Sequence, residues 1–272
     1  MDLSTLCTVG RGGFSKVHLV KDVATEKLYA LKIILPHYVK FVHREIKILN
    51  ILKNIKHKNI VQYFGTQTYK TNSCLLFEPL FCNLYTFYKQ HTEKINNQVL
   101  CKFTKQMLEG VEFIHSIFII HADLKPENIM ITSLEYMTIK IIDFGASIIH
   151  GSNLKTNFYI VSRFYRAPEL LYEEEFSGKI DIWSLGCIIY ELIVFKPLFY
   201  SKTIPMLKVL MSTLSYEFGF VKYIRATTLF TSFTNTQQLY LIGLLHKMLE
   251  YDHLKRFSAT QCLKSPYFNL IN

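Results

Sequence analysis

Around Pro79 the sequence changes texture. Before it, residues 4–10, 15–22 and 28–35 are short runs rich in β-branched or other apolar residues, separated by turn-prone or polar stretches, which is the pattern of strands. Val42, Ile46 and Leu49 then fall at helical spacing and predict one helix, followed by strands near residues 60–66 and 73–77. Beyond Pro79, helices are expected over residues 97–116, 179–194, 205–214 and 237–249, with Gly or Pro near several ends. A small sheet and a larger helical part result, meeting at residues 78–82, and no repeat, low-complexity tract or long linker interrupts them. A cleft between two such lobes is the default place for a ligand.

A chain of 272 residues buries a sizeable core without staples. Its 6 cysteines (Cys7, Cys74, Cys82, Cys101, Cys187 and Cys262) are scattered and follow no secretory signal, which argues against a disulfide frame or zinc site and for a reducing, intracellular setting. Residues 182–195 form the longest apolar run, but at 14 residues, with Glu191 inside it and Asp181 before it, the run reads as a buried core helix and not a membrane span. The N-terminus lacks the pattern of a signal peptide, Asp2 stands where myristoylation needs glycine, and so little precedes Ser4 that no N-terminal regulatory tail is expected. The net charge of +10 opens nucleic acid, anionic membrane and acidic substrates as partner classes. Because the lysines are spread along the chain, a basic solvated surface is the plainer expectation.

Gly10, Arg11, Gly12, Gly13, Phe14, Ser15, Lys16 and Val17 join two predicted strands. Glycine has no Cβ, so backbone N–H groups in such a turn can approach a phosphate closely; an ordinary hairpin turn gives the same string. Lys32 is a single cation in an otherwise apolar strand, and a buried lysine requires an anionic partner, which Glu45 on the following helix can supply. A snorkelling surface lysine beside an unrelated glutamate fits these two residues as well.

Residues 121–128 (His-Ala-Asp-Leu-Lys-Pro-Glu-Asn) and 143–145 (Asp-Phe-Gly) offer carboxylates, a cation and an amide at fixed spacing. Phosphoryl transfer needs these groups: a carboxylate to receive a hydroxyl proton (Asp123), a cation near the moving phosphate (Lys125), and oxygen ligands for Mg²⁺ (Asn128 and Asp143). Any one of them could be a turn or capping residue, whereas the ordered set has no such explanation. The sequence resembles a eukaryotic protein kinase over essentially its whole length.

That resemblance implies an α+β, bilobal kinase fold in one domain over residues 1–272: a small β-rich N-lobe (1–78), a hinge (79–82) and a larger, mostly helical C-lobe (83–272). It implies ATP and Mg²⁺ as cofactors, with Lys32 oriented by Glu45 toward the phosphates. The adenine site is expected between Val17, Ala30 and Phe77, bonded by the backbone of Glu78 and Leu80, while Gly10, Arg11, Gly12, Gly13 and Phe14 cover the phosphates. Ser15 stands where the family's loop has a third glycine. Asp181 is expected to brace the catalytic loop, and Glu169 to pair with Arg256.

Residues 159–169 (Tyr-Ile-Val-Ser-Arg-Phe-Tyr-Arg-Ala-Pro-Glu), together with residues 74–78, 83–85 and 121–123, narrow the likeness to homeodomain-interacting and dual-specificity tyrosine-regulated kinases, within the cyclin-dependent and mitogen-activated group. The implied activity is proline-directed serine/threonine transfer to protein substrates, with autophosphorylation of Tyr159. A phosphate there would add about 1.5–2 negative charges for Arg163 and Arg166 to receive. Ala122 replaces the arginine that pairs with an activating phosphothreonine in most kinases, so independence from that phosphate is expected. Three other readings are a catalytically dead scaffold, a nucleic-acid module and a small-molecule kinase. The complete residue set opposes the first, the lack of a nucleic-acid-binding signature the second, and the segment ending in Glu169 the third. A monomer in nucleus or cytoplasm, without membrane or direct nucleic-acid partners, completes the expectation.

Overall fold

A computed structural model describes residues 2–12, 15–37, 42–70, 72–150, 161–216 and 220–270. Strands β1 (Leu3–Arg11), β2 (Ser15–Asp22), β3 (Leu28–Ile34), β4 (Tyr63–Tyr69) and β5 (Asn72–Phe77) form an antiparallel sheet of order β1-β2-β3-β5-β4. Side chains alternate across a strand, so β3 sends Leu31 to one face, where it packs with Val20, Tyr29, Cys74 and Leu76. The other face carries Ala30 opposite Phe77, and Lys32 opposite Val17 and Leu75. Helix α1 (Val42–Asn54) lies beside this sheet and buries Val42, Glu45, Ile48, Leu49 and Leu52 at helical spacing.

The remaining chain holds β6 (Cys82–Asn83), α2 (Leu84–Gln90), α3 (Asn97–Ser116), β7 (Ile119–Ile120), β8 (Ile129–Ser133), β9 (Thr138–Ile141) and β10 (Ile148–Ile149). There follow α4 (Pro168–Leu171), α5 (Lys179–Val194), α6 (Ile204–Tyr216), α7 (Phe220–Arg225), α8 (Thr228–Thr231), α9 (Asn235–Met248) and α10 (Ala259–Leu263). Helix α5 is the centre of this lobe: every residue from Ile180 to Ile193 is buried. Its surroundings are tight, since a Cβ on Gly186 would come within 2.8 Å of Leu249 and one on Gly178 within 2.8 Å of the His115 ring. Among the described residues no helix is long and apolar enough to cross a membrane.

The helices expected over residues 97–116 and 179–194 form with those bounds. Helix α9 starts earlier than expected because Thr234 and Gln237 make a reciprocal capping box at its N-terminus. The strand expected from residue 60 begins only at Tyr63, since Asn59–Val61 bonds to β9 instead: Ile141 N–H to the Asn59 carbonyl (2.8 Å) and Val61 N–H to the Ile141 carbonyl (3.0 Å). That ladder and the short segment between β5 and β6 tie the sheet lobe to the helical lobe. Phe81, within the segment, donates its N–H to the Ile131 carbonyl at 2.9 Å.

Arg256 and Glu169 make a bidentate pair at 2.6 and 2.9 Å with both side chains essentially inaccessible. Further guanidinium N–H groups go to the carbonyls of Glu250 (2.8 Å) and Lys179 (3.1 Å), so the charge is fully hydrogen-bonded. Removing one partner strands the other in the interior. Arg256→Ala is therefore expected to lower unfolding free energy by about 3–5 kcal/mol, measured by urea denaturation; a loss below about 1 kcal/mol would contradict a buried structural pair.

Candidate active site

Lys32 is placed by the β3 register on the sheet face toward the helical lobe, where burial of an ammonium requires compensation. Its Nζ donates to Glu45 Oε1 at 2.6 Å and to Asp143 Oδ1 at 2.9 Å. Burial pulls the Lys32 pKa down, but the Asp143 and Glu45 carboxylates outweigh it and leave the pKa above the usual lysine value. Burial likewise lifts the Asp143 carboxyl, and Lys32 overrides it, so Asp143 titrates below the ordinary range and stays ionised. Of the two readings open for Lys32, the surface one is excluded.

Asp143 adopts the left-handed region at φ 63°, unusual for a residue with a Cβ and held here by the ion pair. Phe144 after it is buried, its ring 5.1 Å from that of His121. Gly145 lies against the same cluster: a Cβ there would sit in ordinary contact, 3.4 Å from the Asp143 carboxylate and 3.5 Å from that of Glu45.

The loop between β7 and β8 carries the second group of polar side chains. Asp123 Oδ1 accepts from the Ser162 backbone N–H (3.0 Å) and hydroxyl (2.8 Å), and Oδ2 from Lys125 Nζ (2.6 Å). Asn128 Nδ2 donates to the Asp123 carbonyl at 2.8 Å, which commits the nitrogen and leaves the amide oxygen to face a cation. Beneath this loop Asp181, buried on α5, accepts from the N–H groups of His121 (2.8 Å) and Ala122 (2.9 Å), and lies 2.8 Å from His115 Nε2. Ala122 is wholly buried at φ 61°. The left-handed backbone aims its N–H at the Asp181 side chain, so an acceptor fixed in the core sets the shape of the loop.

The segment after β5 has few free groups. The Glu78 N–H donates to the Gln62 carbonyl (3.1 Å), and its carboxylate accepts from Lys140 (2.5 Å) and the Gln62 N–H (2.6 Å). Half-buried Phe77 lies opposite Ala30, and half-buried Leu80 packs against the core. Gly10 pairs with Val17, Arg11 with Lys16, and the Gly12 N–H donates to the Ser15 carbonyl at 2.9 Å. A Cβ on Gly10 or Gly12 would meet nothing of the chain closer than 3.7 Å. Packing within the chain thus gives no reason for these glycines, which is what space kept for another molecule predicts. Gly13, Phe14 and Tyr159 lie outside the described residues.

The structure thus brings Lys32, Glu45 and Asp143 into one cluster and Asp123, Lys125 and Asn128 into another. It also assigns contacts that motif reading missed. Val161 is left-handed at φ 63°, and its carbonyl accepts Arg166 Nε (3.2 Å) and Nη2 (2.5 Å). Arg163 Nη1 donates to the Lys202 carbonyl. Glu191, buried in α5, accepts from Tyr88 (2.5 Å) and Tyr165 (2.7 Å), and burial holds its pKa above the usual range. A lone glutamate in an apolar helix is the same kind of signal that marked Lys32, and read in that way it would have pointed to this network.

A sequence model described as the protein kinase domain matches residues 3–268. The chain belongs to the protein kinase domain family. Curated relatives include dual specificity tyrosine-phosphorylation-regulated kinase 3 of Homo sapiens, 37% identical over 70% of this chain and 33% of that protein. Homeodomain-interacting protein kinase 1 of Caenorhabditis elegans is 38% identical over 70% of this chain and 23% of its own length. A probable serine/threonine-protein kinase, dyrk2, of Dictyostelium discoideum is 40% identical over 70% and 21%. The matched stretch spans about a third or less of these kinases.

In this kinase domain Asp181→Ala would leave two buried backbone N–H groups without an acceptor. Each such group costs about 1–3 kcal/mol. Urea unfolding is expected to show a loss of about 2 kcal/mol or more, and unchanged stability would mean that water or another side chain satisfies the loop.

Proposed function

We propose that the chain is an ATP- and Mg²⁺-dependent protein kinase that transfers the γ-phosphoryl group of ATP to serine or threonine hydroxyls of protein substrates, preferring those followed by proline. The observation that carries this reading is Lys32 held simultaneously by Glu45 and Asp143 above the Asp123, Lys125 and Asn128 loop. A kinase needs its lysine–glutamate pair and its metal-binding aspartate in place together.

The residues fit their parts. Val17, Ala30, Phe77 and Leu80 supply apolar walls for adenine, with the Glu78 carbonyl and the Leu80 N–H as the backbone groups beside it. Pro79, between them, has no N–H to lose. Gly10, Arg11 and Gly12 leave room for the phosphates, and Lys32 meets their charge. Asp143 and Asn128 offer hard oxygen donors of the kind Mg²⁺ takes, and Mg²⁺ held there would neutralise charge on the phosphates. Asp123 already accepts the Ser162 hydroxyl at 2.8 Å, the geometry needed to receive a proton from a substrate hydroxyl. Lys125 stands beside it as the cation for the moving phosphoryl group.

Proline preference follows from the Val161 backbone. With its carbonyl taken by the buried Arg166 guanidinium, the wall after the acceptor site offers no partner to the N–H of the next substrate residue. Proline has no N–H, whereas any other residue would leave one unpaired. Tyr159 is proposed as an autophosphorylation site next to Arg163 and Arg166.

With radiolabelled ATP, Mg²⁺ and a Ser-Pro peptide, Asp143→Ala is expected to reduce transfer about 10²–10³-fold while circular dichroism stays native, and mass spectrometry is expected to find phosphate on Tyr159 of the wild type. Nucleotide binding without transfer by the wild type would favour the scaffold reading instead. A Ser-Ala peptide should be used about tenfold less efficiently in kcat/KM than the Ser-Pro peptide, the effect of one unpaired N–H. Equal use would remove the proline argument.

A further inference from the structure

The positive charge of this chain is unevenly distributed once it is assigned to lobes. Residues 1–78 hold 12 Lys and Arg against 5 Asp and Glu, a net +7, whereas residues 79–272 hold 19 against 16, a net +3. The even spread read along the sequence therefore conceals a strongly cationic small lobe.

Helix α1 concentrates that charge on one side. Val42, Glu45, Ile48, Leu49 and Leu52 face inward, and Glu45, the one acidic residue of the helix, is bound to Lys32. Arg44, Lys47 and Ile51 stand three and four residues apart on the outer face, and Ile55 continues it in the last turn, with its N–H on the Leu52 carbonyl. Arg44, Lys47 and the following Lys56 are exposed. Ile51 is 37% and Ile55 44% accessible. Among the described residues no carboxylate lies in ion-pair contact with Arg44, Lys47 or Lys56, whereas Lys58 beyond them pairs with Glu109 at 2.8 Å.

We propose that this face is a docking surface for an acidic amphipathic segment of a protein partner, whose aliphatic side chains cover Ile51 and Ile55 and whose carboxylates meet Arg44, Lys47 and Lys56. The mixture decides the class of partner. Cations alone would suit any polyanion, but two aliphatic side chains between them require an apolar surface on the partner as well. The one aromatic ring that the helix exposes is the small imidazole of His43, and the aliphatic Ile51 and Ile55 between the cations offer a nucleic-acid base no ring to stack on. Two isoleucines without an aromatic anchor also make a poor insertion surface for a lipid headgroup layer.

The surface is tested by fluorescence anisotropy with the whole chain and a labelled amphipathic peptide of Glu and Leu, at low ionic strength and at about 0.15 M. Saturable binding is expected that weakens with salt and falls about tenfold in the double variant Arg44→Glu/Lys47→Glu, and also in Ile51→Asp. Lys196→Glu/Lys264→Glu, the same charge change on exposed residues of the helical lobe, is expected to leave binding intact. Equal loss in both double variants would reduce the effect to net charge and overturn the proposal. So would tighter binding of phosphatidylserine vesicles or of a short DNA duplex than of the peptide, with the same dependence on Arg44 and Lys47, or no binding of the peptide. Thermal melts of each variant separate unfolding from lost contact. The readout involves no phosphoryl transfer, so failure of this surface and failure of the kinase reading are separately visible.

Discussion

The Lys32 ammonium is the point on which the two lobes agree. It is half-buried, and withdrawing a lone cation from water is unfavourable enough that β3, α1 and the loop before β10 must all deliver their groups to it. Sheet register fixes where Nζ emerges, the inward face of α1 fixes Glu45, and the left-handed Asp143 closes the cluster from the other lobe. Displacement of any one of the three leaves charge uncompensated. The interaction that stabilises the join between lobes is thus the one that arranges the site.

The helical lobe is organised around carboxyl groups in its interior. Asp181 and Glu191 both project from α5, Asp181 to the catalytic loop and Glu191 to Tyr88 and Tyr165. Asp181 thereby orients a loop with no regular structure of its own, and Glu191 ties α2 to the turn that carries Tyr165. Three residues with side chains, Ala122, Asp143 and Val161, accept left-handed backbone at a cost of about 1–2 kcal/mol apiece, and each is held by a charged partner: Asp181, Lys32 and Arg166. Strain at these positions turns an N–H, a carboxylate or a carbonyl toward or away from the place where phosphate and peptide would meet.

Much of this was legible in the sequence. Residues 97–116 and 179–194 announced their helices because a long apolar period with caps leaves little freedom. The fixed spacing of Asp123, Lys125, Asn128, Asp143, Phe144 and Gly145 announced the chemistry. Shorter elements such as α2, α4, α7, α8 and α10 escaped because a period cannot be read over four to seven residues whose form is set by their neighbours. Ile60 and Val61, apolar enough for a strand, were drawn off to β9 by a partner distant in sequence.

The sequence by itself determined the ordered inventory of groups, the bilobal division at Pro79 and the family, since these depend on residue type, spacing and local period. Tertiary structure alone decided that Lys32 is shared between carboxylates of both lobes and that the Val161 carbonyl is taken by Arg166. Those outcomes depend on backbone handedness and on contacts between residues far apart in the chain, such as Lys32 and Asp143, whose meeting no local pattern encodes.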